Sequence, residues 1–345
     1  MQQNLTAFDD LTRLGYLVVT DTIPNDGDED VADALQQLIH DNPHRTIYFP
    51  DGIYTISHPI QTSANPANSV SLLLSNYATI RADPKRWKSD EAMIGLGGAE
   101  HYNDTLQNGS NYFLAGGIID CSGIAKGVSI DSGRETVIRD LSIKRTSLGI
   151  HIKNGANSGS SDADIFDVNI IGNGASDSVG ILVEGMDNTL SNIRIGGVQT
   201  GVHLISGANM LRNIHPLYQS DFSAYEDSCG FWDEGDSNRY DFCYSDHFRT
   251  GFRLKSGVRS FFHNCNVFWY NDGGLGAKYA SEVFHCDGEF NSFVSVLQAT
   301  FRDDRPAVVL WEGKEGGSGS FQHTFINRQD DLKKEADAYF KYLKQ

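Results

Sequence analysis

The chain has 345 residues, with 28 Lys and Arg against 45 Asp and Glu, giving a net charge of −17 when the histidines are neutral. That balance argues against duplex nucleic acid or an anionic membrane as partner, because both need a positive face to meet their phosphates. Five cysteines (Cys121, Cys229, Cys243, Cys265 and Cys286) form an odd set with no Cys-x-x-Cys pair, which argues against a zinc site and against a full disulfide framework.

The opening MQQNLTAFDDLTRLGYL lacks the basic and apolar regions of a signal peptide. The expected location is therefore cytoplasmic, or secreted or periplasmic if a leader has been trimmed. Next come Asp28, Glu29 and Asp30, ahead of Val31, Ala34, Leu35, Leu38 and Ile39 at helical spacing. This predicts an amphipathic helix over 28–40, with acid at its positive end and an apolar face that can cover the first layer of a core. Residues 45–60, RTIYFPDGIYTISHPI, place two β-rich runs, Thr46 to Phe49 and Ile53 to Ile56, around a Pro50-Asp51-Gly52 turn. The glycine-rich GLGGAE at 95–100 matches neither a dinucleotide fingerprint nor a phosphate loop.

From Gly127 a phrase returns: GVSIDSG, GIHIKNG, GILVEGM, GVHLISG, GFWDEGD and GFRLKSG, starting at 127, 149, 180, 201, 230 and 251. Each opens on Gly and then alternates apolar and variable positions, the period-2 signature of a strand. A second strand follows in each unit, carrying Asp140, Asp167, Asn192, Asn213 and Asn264 ahead of an apolar residue, with Phe242 as the exception. Units of this length built from short strands predict a parallel β-helix over 45–300, with 1–44 as N-terminal segment and cap, and 301–345 as C-terminal loop and helix. The Asp/Asn column is read as structural, since these residues tolerate bends and satisfy nearby backbone groups. Leu141, Val168, Ile193, Ile214, Cys243 and Cys265 are expected to point inward, the two cysteines as small buried hydrophobes.

The order NDGDED, ALQQLI, IYFPDGIYTIS, GGIIDCSG resembles the pectate-lyase superfamily of right-handed parallel β-helix proteins. That resemblance covers about residues 15–125 by motif and 127–297 by coil periodicity. It implies an all-β solenoid and a polysaccharide or oligosaccharide partner. Pectate lyases, polygalacturonases, tailspike depolymerases and fructan fructotransferases share the superfamily, and none of their catalytic signatures stands in this sequence. A trimeric depolymerase variant (a homotrimer) would place the site between subunits.

The residues themselves suggest a site on the outward positions of the first strands. There His151/Lys153, Leu182/Glu184, His203/Ile205, Trp232/Glu234 and Arg253/Lys255 follow one another from coil to coil. Two carboxylates, Glu184 and Glu234, fall two coils apart and suit acid/base hydrolysis of a glycosidic bond. Asp233 is a further candidate base and His203 a tuning residue. Trp232 offers a flat face for a sugar ring, and His151, Lys153, Arg253, Lys255 and Tyr225 (from the 215–229 segment) complete the expected binding set. A lyase is the alternative, with Lys153, Arg253 or Lys255 as base, and a non-catalytic sugar-binding or structural β-helix, tailspike- or adhesin-like, is the alternative of another class. No metal-ligand set and no cofactor are expected, although oxygens of Asp233, Glu234 and Asp236 suit calcium.

Overall fold

A computed structural model describes residues 11–12, 14–65, 68–98, 112–154, 161–219, 222–270, 281–302, 308–314 and 317–328. The expected C-terminal helix over 330–345 lies outside the described residues. The chain divides into two compact units, Met1–Ile170 and Ile171–Gln345.

Among the described residues of the first unit, short strands form three ladders, and each pairing in them is parallel. One joins Leu17–Val18, Thr46–Phe49, Ser71–Leu74, Phe113–Ala115, Val137–Arg139 and Asp164–Phe166. A second joins Asp26–Asp30, Gly52–Ile56, Ala78–Ala82, Ile118–Asp120 and Ser142–Thr146. The third joins Ile60–Gln61, Ala92–Leu96, Lys126–Ile130 and Leu148–Ile152. The two runs around the Pro50-Asp51-Gly52 turn therefore do not pair with each other. Each bonds to the coils before and after it, as a β-helix requires.

The second unit repeats the scheme. Val179–Val183, Thr200–Leu204, Cys229–Asp233, Thr250–Leu254, Ser281–Glu289 and Val308–Lys314 form one parallel ladder. The long strands Thr189–Gly196 and Met210–Leu217 pair with each other. From the latter, two ladders run on, one through Arg239–Asp241 to Ser320–Phe321 and one through Tyr244–Asp246 to Thr324–Arg328. The fold is a right-handed parallel β-helix, as the repeat predicts.

Two boundaries differ from the sequence reading. Among the described residues, parallel pairing runs from Leu17 to Arg328, beyond the expected 45–300. The acidic run Asp26–Asp30 is a strand, and the helix spans Ala32–Asp41. The carboxylates account for this. Asp30 Oδ1 accepts from the N–H groups of Ala32 and Ser57, both at 3.1 Å, tying the run to the next coil as well as to the helix start. The helix buries Ala32, Leu35 and Ile39 behind Val31, while Ala34 is exposed.

The Asp/Asn column has a backbone cause. Asp140, Asp167, Asn192, Asn213 and Asn264 all take left-handed φ between 52° and 56°, bending the chain between successive strands at Asp140, Asp167 and Asn264 and within the long strands Thr189–Gly196 and Met210–Leu217 at Asn192 and Asn213. Asn and Asp tolerate that region because their side chains bond locally. Phe242 holds φ 55° at the equivalent bend with 54% of its surface exposed, where a bulky residue costs roughly 1–2 kcal/mol. Phe242→Asn is therefore expected to raise stability by about 1 kcal/mol. A urea midpoint that stays put or falls would show that no strain is released there.

Inside, Leu141, Val168, Ile193, Ile214, Cys243 and Cys265 are at most 1% exposed, as the alternation predicts. All five cysteines are buried. Burial pushes the thiols of Cys121, Cys229 and Cys243 up to about 12, so they pack as small apolar groups and are not nucleophiles.

Candidate functional site

In the second unit the strand register lines up Leu182, His203, Trp232, Arg253 and His285 as one outward column. Beside it run Glu184, Ile205, Glu234 and Lys255. Here the N–H groups of Ile205, Glu234 and Lys255 bond to the carbonyls of Val183, Leu204 and Asp233 at 2.8, 2.8 and 2.9 Å. Glu184 and Glu234 thus stand two rungs apart, about 9.6 Å at strand spacing. The rung between them carries Ile205, 44% exposed, a short apolar platform with no charge.

Glu234 is the best-supported carboxylate of the column. His203 Nε2 lies 2.8 Å from its Oε1 and Lys255 Nζ 3.3 Å from its Oε2. Partial burial works to raise its pKa, but the bonds from His203 and Lys255 outweigh burial and hold the group below the usual glutamate value. It is therefore an ionised acceptor and suits the role of base.

Trp232 does not present a free face. His203 stacks on it with ring centroids 4.2 Å apart at 7°, and the Arg253 guanidinium sits 4.6 Å from its centroid on the next rung. With both neighbours in place, the indole orders the imidazole and the guanidinium; the expected sugar-stacking surface is occupied. Arg253 also pairs with Asp287 at 3.2 Å.

Asp233 faces the other way, and the reading of it as a base is corrected. Its side chain is fully buried in the core column between Leu204 and Leu254. Oδ1 accepts from Gly235 N (3.0 Å) and Asn238 Nδ2 (2.8 Å), and Oδ2 from Tyr240 OH (2.9 Å) and Ser260 Oγ (2.7 Å). Burial pushes its pKa up to about 6 against those four donors. Because the folded protein holds this proton more tightly than the unfolded chain does, Asp233 should subtract stability as pH rises from about 4 to 6, by about 3 kcal/mol in total. Asp233→Asn should remove that slope. Denaturation of both proteins across this range tests it, and identical pH dependence would contradict it.

Tyr225 is likewise an interior residue. It lies on the 3₁₀ helix Phe222–Asp227, fully buried and edge-on to Tyr218 at 5.4 Å, so it packs the 215–229 segment against the coil and does not line a cleft. The calcium reading also gives way. Asp233 turns inward, Glu234 engages His203 and Lys255, and Asp236 bonds the Arg259 side chain at 2.9 Å. Among the described residues no group of three His, Cys, Asp or Glu side chains could hold a metal ion.

His151 and Lys153 belong to the first unit. Lys153 Nζ lies 2.8 Å from both Glu91 Oε2 and Asp131 Oδ1. Burial works to lower its pKa, but the two carboxylates outweigh burial and hold it above the ordinary lysine value. An ammonium so held does not abstract a proton, and the guanidinium of Arg253 does not deprotonate. Lys255 is the remaining cation of the lyase alternative, and it is bonded to Glu234.

Two groupings were missed in the sequence, as was the His215 member of a third, whose Asp246 and His247 the sequence offers as further acid/base suspects. Glu282, 1% exposed, binds Arg249 at 2.8 Å, Thr250 Oγ1 at 3.0 Å and His285 at 3.2 Å, beyond the last repeat phrase. His215, Asp246 and His247 form a second cluster, with Asp246 between the two imidazoles and His215 stacked on Tyr244 at 4.3 Å. It sits on the strands Met210–Leu217 and Tyr244–Asp246, away from the strand carrying Trp232. Asparagines 188, 209 and 238 stack inside the coil, Asn209 Oδ1 accepting from Asn188 Nδ2 at 3.0 Å and Asn238 Oδ1 from Asn209 Nδ2 at 3.2 Å. Their signal was present: each follows the repeat phrase by a fixed few residues.

The class these features define is the right-handed parallel β-helix. Comparison with protein-family models gives no match, and comparison with curated protein sequences gives none either. Solved structures do match. A protein of Geobacillus virus E2, described as open reading frame 18, superposes with a TM-score of 0.62 at 14% identity, over 95% of this chain and 65% of that one. An alginate lyase from a Paenibacillus species gives 0.56 at 15% identity, over 86% and 97%. A hyperthermoactive exopolygalacturonase from Thermotoga maritima gives 0.58 at 12% identity, over 90% and 91%. The chain spans just under two thirds of the first of these. At such identities the likeness establishes the fold, which is the one the pectate-lyase resemblance implied.

Proposed function

We propose that the protein is a carbohydrate-active enzyme that hydrolyses a glycosidic bond of a polysaccharide or oligosaccharide, using Glu184 and Glu234. The observation that carries this reading is the column Glu184, Ile205, Glu234, in which two carboxylates flank an exposed apolar rung and one of them is held ionised by an imidazole and an ammonium. Glu234 takes a proton from the water that attacks the anomeric carbon. Glu184 gives a proton to the departing glycosidic oxygen, so the bond breaks with one water consumed. Alginate lyase and exopolygalacturonase among the structural neighbours support a saccharide substrate.

Incubation with a polysaccharide panel, read for reducing ends and for the absorbance of an unsaturated product, tests the reading. Reducing ends without absorbance are expected. Both signals together would mean elimination, and neither signal on any substrate would leave a non-catalytic binder.

A further inference from the structure

A pocket of about 500 Å³ opens in the first unit, lined among others by Pro59, Gln61, Glu91, Asp131, Lys153 and Asn154. The register explains it. Gln61, Gly95, Ser129 and His151 occupy one outward column, and the two smallest residues fall on consecutive rungs, leaving a dent between longer neighbours. Asp131 and Gln61 lean into the space above Gly95, where an added Cβ would lie 3.0 Å from Asp131 Oδ2 and 3.2 Å from Gln61 Cγ. Around the dent acceptors and donors alternate: Glu91 and Asp131 share Lys153 at 2.8 Å each, and Gln61 Nε2 donates to Asp131 Oδ2 at 3.1 Å.

This chain of groups is unsuited to acid/base chemistry, because both carboxylates are engaged by the same ammonium. It is suited to vicinal hydroxyls, each of which donates to a carboxylate and accepts from an ammonium or amide. Pro59 supplies an apolar wall, and the volume falls in the range of roughly 300–1,000 Å³ typical of small-ligand sites. Charge narrows the ligand further. A smaller cavity that shares Glu91, Ala92, Ser129 and Lys153 with the pocket adds Asp90, Lys126 and His151, so three carboxylates face two ammonium groups, a net of 2 − 3 = −1 with neutral imidazole.

We propose that this pocket is a second, non-catalytic site that binds a neutral, hydroxyl-rich sugar unit and disfavours uronates. It stands independently of the hydrolysis assigned to Glu184 and Glu234. The test is calorimetric titration of the full chain carrying Glu184→Gln and Glu234→Gln, so that ligand is not turned over. The probes are neutral gluco-, galacto- and manno-oligosaccharides and oligogalacturonates of matched length. A neutral oligosaccharide should bind, and adding Gln61→Leu or Lys153→Met should weaken it at least tenfold. Gln61 is exposed, so its replacement keeps the fold and decides the matter if the lysine variant does not fold. The proposal is overturned if no neutral probe binds, if affinity survives Gln61→Leu, or if oligogalacturonates bind more tightly through these same residues. Failure of catalysis would appear instead in the reducing-end assay, which these titrations do not read.

Discussion

Glu234→Gln should lower the hydrolytic rate about 10²–10⁴-fold, the usual contribution of a positioned proton-transfer group. The amide keeps the shape of the carboxylate and its contact with His203 but cannot take the proton from water. Glu184→Gln should lower the rate comparably, through loss of leaving-group protonation. Neither change should cost more than about 1 kcal/mol of stability, because neither side chain is buried and the Glu234 ion pairs are partly solvated. His203→Ala is a graded version of the same test. Without the imidazole the Glu234 carboxyl loses one of the two bonds that hold it below its ordinary value, so the acid limb of the pH–rate profile should move to higher pH. Full activity in both glutamine variants would place the chemistry elsewhere, and the His215, Asp246, His247 cluster is the first alternative.

Phe252→Ala should destabilise the protein by about 3–5 kcal/mol. Phe252 is fully buried and stacked between Phe231 and Phe284, with centroids 5.0 and 5.1 Å away, and its edge contacts reach Phe262 at 5.2 Å and Tyr240 at 6.0 Å. Its neighbours are held in register by the ladders above and below, so they cannot collapse into the space, and the cavity term adds in full to the lost transfer energy. A loss below about 1 kcal/mol, measured by denaturant unfolding, would mean the stack is looser than its geometry implies.

The fold was legible because a β-helix writes its period into the chain. Gly127, Gly149, Gly180, Gly201, Gly230 and Gly251 each open a rung, and the alternation after them separates inside from outside. Legibility failed where the coil is irregular. Strands Ile60–Gln61 and Ala92–Leu96 lack the glycine-led phrase, so Gln61 and Glu91 could not be aligned with Ser129 and Lys153, and the pocket stayed hidden. Asp28, Glu29 and Asp30 read as charge at a helix start, whereas they fall in a strand, and Asp30 Oδ1 accepts from backbone of the next coil at Ser57 as well as from Ala32.

Within the candidate site, periodicity placed Glu184, His203 and Glu234 outward but did not show what lies above and below each ring. Stacking of successive rungs covers both faces of Trp232. From the sequence Asp233 reads as a candidate base. In the structure it is an interior anchor for Asn238, Tyr240 and Ser260, a role that depends on residues up to 27 positions away.

The central claim is hydrolysis by a carboxylate pair two rungs apart. Its most direct test is the anomeric configuration of the first product, followed by proton NMR before mutarotation. A separation of about 9.6 Å between rungs, at the upper edge of the roughly 6.5–9.5 Å of inverting carboxyl pairs, leaves room for a water between base and sugar and predicts inversion. Net retention would require carboxyl groups only about 5–5.5 Å apart, and would contradict the assignment of Glu184 and Glu234.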